Sequence, residues 1–435
     1  MNEVIPSLDR RTLLRGSAAL GLTGALALPA SAAATLPGAV EIKALIDERV
    51  AARQLPGAVV ALGGNNRPAV FISGGTVDFD STSRVNEHTL FRMASMTKPI
   101  AGMATMLLIS EGKLKLDQPV ADFIPAFSNM RVVTDPKTTE SRPAERLITI
   151  RHLITHTSGI VNEPPGTIAE SYRRLGLTGG APALTASADA LPPPRSLDDY
   201  VVRLAQVPLT CDPGTKWLYS PNLDIAARVI EVISGMPFDT FLEKRMFAPL
   251  GMASSGFWVR PKDKGRLMTM YARQGGALVP TDAAATSRLL VKPDIPRASG
   301  GLVSTPRDYD RFLWMVVNRG LLDGRRVFPA DAVQLGTSNL LPPGTDMSQY
   351  TSRTGYDGFG AGGMVTVGGP RPGTYGWGGS SGTTGFANPA MKSRWGSYTN
   401  IGASDFGRRA MAAAGMSFSQ AIMPGGAERM VPARN

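Results

Sequence analysis

Apolar residues recur at helical spacing early in the chain, at Ile42, Leu45, Ile46 and Val50, and predict an amphipathic helix there. The pattern then turns short and strand-like. Residues 58–62 and 69–73 flank Gly63-Gly64-Asn65-Asn66, whose glycines and asparagines tolerate the positive φ that a hairpin turn needs. An apolar run from Ile100 to Ile109 reads as helix, Leu223, Ala226, Ala227, Ile230 and Ile233 mark another, and Phe312, Leu313, Met315 and Val316 a third. Residues 162–195 contain Pro164-Pro165-Gly166, Gly179-Gly180 and Pro192-Pro193-Pro194, which predict a long irregular loop. Such a loop either shapes a substrate mouth or is a plain surface excursion. After Gly355 the chain is glycine-rich, with candidate strands at 364–367, 374–377 and 393–399 and a helix from 405 to about 416.

Strands near both ends with helices between them predict an α/β (α+β) fold: an antiparallel sheet flanked by helices, plus an inserted, mostly helical lobe. The expected boundaries are 33–94 and 341–435 for the sheet lobe and 95–340 for the helical lobe. Ahead of them, Asp9-Arg10-Arg11-Thr12-Leu13-Leu14-Arg15 precedes an apolar stretch from Ala18 to Leu28 and the small-residue run Ala30-Ser31-Ala32. That order is expected of a twin-arginine signal peptide over 1–32, and it implies a periplasmic or secreted protein.

Composition narrows the classes. With 435 residues, 43% hydrophobic and 19% charged, the chain has enough material for a large core, and no stretch of its body is apolar for long enough to span a bilayer. The formal charge of +11 comes from scattered lysines and arginines, without the basic stripe and interleaved aromatics that bind nucleic acid. Cys211 is alone and can form no internal disulfide; it reads as a small buried hydrophobe. His152 and His156 are four apart, but no H-E-x-x-H is present and no cysteine or carboxylate stands near them at ligand spacing, so neither metal nor cofactor is expected. Nothing in the sequence speaks to oligomeric state.

The candidate chemistry begins at Ser95-Met96-Thr97-Lys98. On a helix, residues three apart share a face, so this S-x-x-K spacing sets the Lys98 amine beside the Ser95 hydroxyl. A serine attacks an acyl carbon only if a neighbour takes its proton. A competing match, Gly378-Gly379-Ser380-Ser381-Gly382, has the G-x-S-x-G form of a nucleophile elbow, yet that fold needs a histidine after the serine and none follows His156. Taken alone, Tyr219 in Lys216-Trp217-Leu218-Tyr219-Ser220-Pro221-Asn222 reads as packing, and His156 as a hydrogen-bonded packing residue.

In order, Ser95-x-x-Lys98, Ile150 to Gly159, Pro213 to Ser220, Ser299 to Thr305 and Tyr375-Gly376-Trp377-Gly378-Gly379 resemble the serine hydrolases related to class C β-lactamases and DD-peptidases, and most of all family VIII carboxylesterases. The resemblance covers nearly all of the chain after the signal and implies a β-lactamase/DD-peptidase-like fold. Two departures stand out: the superfamily's Y-x-N is here Tyr219-Ser220-Pro221, with Asn222 one place late, and Trp377-Gly378-Gly379 stands where β-lactamases have K-T-G. A lysine there would attract a substrate carboxylate, whereas an indole offers apolar surface and one donor.

The resemblance implies Ser95 as nucleophile, Lys98 as its proton partner, Tyr219 as general base, and the backbone N–H groups of Ser95 and Ser380 as the oxyanion donors. It also implies Trp377, Gly378 and Gly379 as substrate-pocket residues. The division of labour between Lys98 and Tyr219 stays open, as it does for related S-x-x-K enzymes. The expected activity is hydrolysis of a small, uncharged ester through an acyl-enzyme. The alternatives are a β-lactamase, D-aminopeptidase, amide hydrolase or acyltransferase of the same superfamily, or a non-catalytic binding protein of the same fold.

Overall fold

In the computed structural model, which describes residues 38–415 apart from 65, 136, 139, 163–165, 178–189 and 351–356, the two ends of the chain share one sheet. The expected signal segment over 1–32 lies outside the described residues. β1 (Gly57–Gly64) pairs antiparallel with β2 (Val70–Gly75), Val60 opposite Ile72. Two short strands, β3 (Phe91–Arg92) and β4 (Val303–Ser304), form a ladder of their own. The C-terminal part supplies β5 (Asp357–Phe359), β6 (Met364–Thr366), β7 (Tyr375–Gly379), β8 (Thr383–Asn388) and β9 (Ser393–Tyr398). The sheet order is β5-β6-β7-β8-β9-β1-β2, antiparallel throughout, with Val59 opposite Tyr398 where the two chain ends meet. This is the antiparallel sheet built from both ends that the strand pattern predicts.

Helices cover the sheet and fill the lobe beside it. α1 (Ala39–Ala51) buries Ile42 and Ile46 and packs on β2. α2 (Thr97–Ser110) is apolar on every side and buried from Thr97 to Leu108, which makes it a core helix rather than a surface one. The lobe continues with α3 (Ile150–Ile154), α4 (Gly166–Arg174), α5 (Leu197–Leu204) and α6 (Asn222–Ser234), the last packing against α2, α3 and α5. α7 (Pro306–Val317), capped by Thr305 with Pro306 in its first turn, lies across β1, β8 and β9. α8 (Ala330–Gly336) packs on α2, and α9 (Phe406–Ala413) returns to α1 and β9.

Four local expectations change. The residues expected to form one irregular loop include α4, whose amphipathic face buries Ile168 and Tyr172. Ser95 does not lie in the α-helix but in a 3-10 turn, Ala94–Met96, just ahead of it. The span expected to be helical up to 340 contains β-hairpins at 131–143 and 270–282, and its α7 covers the sheet, so the chain rejoins the sheet layer well before 341. β8 is a strand that periodicity does not predict, because Gly385 interrupts its apolar pattern.

Candidate active site

The turn that carries Ser95 is held by tertiary hydrogen bonds. Met93 N–H donates to Leu302 O at 2.9 Å, Thr97 Oγ1 donates to Ala94 O at 2.6 Å and accepts from Leu302 N–H at 3.0 Å, and Tyr309 OH donates to Met96 O at 3.0 Å. Ala94, directly before the serine, has φ 45°. A residue with a Cβ pays about 1–2 kcal/mol for that left-handed conformation, so the surrounding bonds are what keep Ser95 raised on its turn. From the sheet side, Gly379 at the end of β7 comes so close that a Cβ there would lie 2.2 Å from Met93 O. Only glycine permits that approach. Ser380, itself exposed, follows Gly379 in the β7–β8 turn.

Lys98 is 2% exposed and stands one helical step beyond Ser95. Its Nζ donates to Ser95 Oγ at 3.2 Å and to Ser299 O at 2.5 Å, and lies 4.4 Å from the centroid of the Tyr219 ring. An ammonium has three N–H donors, and here each has a receiver: a hydroxyl, a carbonyl and an aromatic face. These contacts bring the distant Tyr219 up against the neighbouring Ser95 and Lys98.

The Tyr219 segment is clamped by the turn after α3. Leu218 N–H donates to His156 O at 2.8 Å, Asn162 N–H donates to Tyr219 O at 3.0 Å, and the His156 Nδ1 and Ser220 Oγ atoms share a hydrogen bond of 2.9 Å. The His156 ring lies 5.0 Å from that of Tyr219. Burial, reinforced by the Lys98 charge, pushes the His156 imidazole well below its ordinary range, so it sits neutral under the site. His152 points elsewhere: it closes the capping box with Thr149 at the start of α3. Because α3 ends at Ile154, the two histidines never share a helical face. Asn222 is fully buried, accepts from Ser158 Oγ at 2.9 Å and reaches His152 O at 3.4 Å, so it joins α6 to the 152–158 segment.

Trp377 differs from the pocket wall expected of it. It is 1% exposed, packed among Trp217, Tyr350 and Phe359, and its indole N–H donates to Tyr219 OH at 3.2 Å. The alternation of β7 turns this side chain inward, behind the phenol, rather than toward solvent. Gly378 and Gly379 are buried with it. Ser299, whose carbonyl receives Lys98, carries no signal in the sequence, because a backbone acceptor leaves no signature in residue type. Cys211 is half-buried, and burial pushes its thiol up, away from a nucleophilic thiolate. Among the described residues no group of three His, Cys, Asp or Glu side chains is placed to hold a metal ion, and no helix is long and apolar enough to cross a membrane.

Known proteins resemble this chain in sequence and in fold. Esterase EstB of Burkholderia gladioli is 33% identical over 222 residues, covering 50% of this chain and 51% of its own. Protein Rv1367c of Mycobacterium tuberculosis is 31% identical over 328 residues, 72% of this chain and 78% of its own. Among solved structures, EstCE1, described as a hydrolase with promiscuous acyltransferase activity, superposes with a TM-score of 0.70 at 22% identity over 87% of this chain and 98% of its own. Simvastatin synthase (LovD) from Aspergillus terreus, unliganded and as the selenomethionyl derivative, gives 0.71 at 21% identity, covering 87% and 96%. These likenesses to solved structures show the β-lactamase/DD-peptidase-like fold. The family description Beta-lactamase matches residues 42–418, almost the whole of the described chain, and the protein therefore belongs to the beta-lactamase family of serine hydrolases.

Proposed function

We propose that the protein hydrolyses small, uncharged carboxylic esters through an acyl-enzyme on Ser95. The observation that carries this reading is Lys98 Nζ, held at once within hydrogen-bond reach of Ser95 Oγ and against the face of Tyr219. With its three donors occupied, Lys98 serves as a fixed cation, and Tyr219, reacting as its phenolate, takes the proton of Ser95. Ser95 Oγ bonds to the acyl carbon, the carbonyl oxygen takes the negative charge, and the backbone N–H groups of Ser95 and Ser380 receive it. On collapse the alkoxide leaves and takes the proton back from Tyr219. Water then attacks the acyl-enzyme and gives its proton to the same oxygen; as the adduct collapses, Tyr219 passes that proton to Ser95 Oγ, which releases the acid and restores both residues.

Trp377 supports the choice of Tyr219 as base and of an uncharged ester as substrate. Its N–H, aimed at the phenol oxygen, stabilises negative charge there without bringing a cation to the site. β7 carries no lysine or arginine to attract a substrate carboxylate. The esterase named among the relatives agrees with this reading. A second reading, transfer of the acyl group to an alcohol instead of water, is favoured by relatives such as the ML-236A carboxylate methylbutanoyltransferase of Penicillium citrinum, 28% identical over 237 residues. We place the protein outside the cytoplasm on the strength of Arg10 and Arg11 in the leader.

The test is nitrophenyl acetate hydrolysis by wild type and Ser95→Ala, with mass spectrometry of the acylated chain. The expected result is a burst and an adduct on Ser95 in wild type alone. Equal turnover by both proteins would refute the assignment. Adding an alcohol during turnover separates the two readings, since an acyltransferase diverts product to the new ester.

A further inference from the structure

Asp224 has no exposed surface, and the chemistry of Ser95 makes no direct use of it. Its carboxylate accepts from Arg297 Nε at 2.9 Å, pairs with Arg297 Nη2 at 2.8 Å, and accepts the backbone N–H of Ser299 at 2.9 Å. A buried carboxylate is costly unless its charge is paired and its oxygens are hydrogen-bonded, and here both conditions hold. Arg297 is steadied in turn by the ring of Tyr200 in α5, 4.0 Å away. Ser299 is therefore gripped at both ends. Asp224 holds its N–H, and its C=O receives Lys98 Nζ at 2.5 Å.

We propose that Asp224 and Arg297 are positioning residues for acyl transfer: by fixing the Ser299 peptide they hold the Lys98 ammonium against Ser95. The inference rests on the reading of Ser95 as nucleophile. Lys98 carries its charge on a flexible four-carbon stem, so its place is set by its acceptors rather than by its own backbone. One of those acceptors, the Ser95 hydroxyl, must move during the reaction. The Ser299 carbonyl does not react, and it is the shortest contact Lys98 makes among those described. The start of α6 thus does two jobs at once, since Tyr219 lies just before it and Asp224 lies in its first turn. The ionisable groups around Lys98 are Tyr219 and His156 on one side and, behind Ser299, Asp224, Arg297 and Tyr200.

The experiment compares wild type, Asp224→Asn and Arg297→Lys as full chains, by nitrophenyl acetate kinetics and by the rate at which a fluorophosphonate labels Ser95. Asp224→Asn is expected to lose on the order of 100-fold in kcat, the scale of a misplaced catalytic group, and to label correspondingly slowly, with KM changed by less than about threefold. Arg297→Lys keeps the cation but not the two-pronged fork and is expected to fall between the two. A folded Asp224→Asn protein that labels and turns over like wild type overturns the proposal. Should that variant fail to fold, Arg297→Lys decides, and wild-type turnover per labelled serine there overturns it equally. If wild type itself shows no Ser95-dependent labelling, the esterase reading falls and takes the clamp with it, a result distinct from a labelled wild type with unimpaired variants.

Discussion

The indole N–H of Trp377 donates to the phenol oxygen of Tyr219 across 3.2 Å, from a side chain that is only 1% exposed. The residue at the place of the K-T-G lysine of β-lactamases is thus a neutral donor to the phenol, buried behind it. A hydrogen bond to a charged group is worth about 1.5–3 kcal/mol, so Trp377→Phe is expected to lower kcat by roughly 10- to 100-fold. KM should hardly move, because the ring stays in place. Steady-state kinetics on nitrophenyl acetate read both, and a rise in KM with unchanged kcat would return Trp377 to the substrate pocket.

Ser380 offers a backbone donor in one reading and a nucleophilic hydroxyl in another. Ser380→Ala keeps the N–H and removes the hydroxyl, so activity should survive. Ser380→Pro removes the N–H, and loss of one oxyanion donor costs about 100- to 1000-fold in kcat. The reverse ranking of the two variants would make the hydroxyl the working group.

Stability should depend on pH through the two buried histidines. Burial, helped by the Arg146 charge, lowers His152 from 6.5 to about 4, and His156 is held lower than its ordinary range by burial and by Lys98. Both stay neutral in the folded protein while the unfolded chain takes up protons below pH 6.5, so their contribution is full above that pH and is lost as the pH falls. For His152 the loss levels off below pH 4. Asp308 and Asp310, raised by burial, act in the opposite sense, so the comparison must be with a variant. In His152→Asn, whose amide oxygen can replace Nδ1, the stability gap to wild type should narrow by about 2 kcal/mol between pH 7.5 and pH 5. Urea denaturation at the two pH values measures it, and a constant gap would mean that His152 is protonated in the fold.

Arg394 and Asp310 join β9 to α7 through an ion pair with bonds of 2.7 and 3.0 Å, with Arg394 fully buried. Removing one partner strands the other charge, so Arg394→Met should cost about 3–5 kcal/mol. Replacing Asp310 by leucine in the same chain should recover most of that loss. Denaturant melts of the single and double variants test it, and additive losses would show that the pair is not coupled.

Much of the architecture was legible because it follows from periodicity. The β1–β2 hairpin and α1 appeared where apolar alternation and helical spacing placed them, and the end-to-end sheet followed from finding strands at both termini. α4 was hidden by the prolines and glycines around it, since its stability comes from docking Ile168 and Tyr172 rather than from its own sequence. β8 was hidden by Gly385, which leaves the space occupied by Tyr309 and Met96.

The sequence by itself determined which groups were available: a serine and a lysine three apart, a distant tyrosine, and a tryptophan where a lysine might have stood. Local spacing carries that much because neighbours along a helix or turn are neighbours in space. Only the tertiary structure decided where each group sits, because two receivers of the Lys98 ammonium, the Ser299 carbonyl and the Tyr219 ring face, come from segments more than 100 residues away from it and are not chosen by side-chain pattern. The same is true of Trp377, whose direction depends on the register of β7 in the finished sheet, and of Asp224, whose partners Arg297 and Ser299 reach it only when the loop before β4 folds back onto α6.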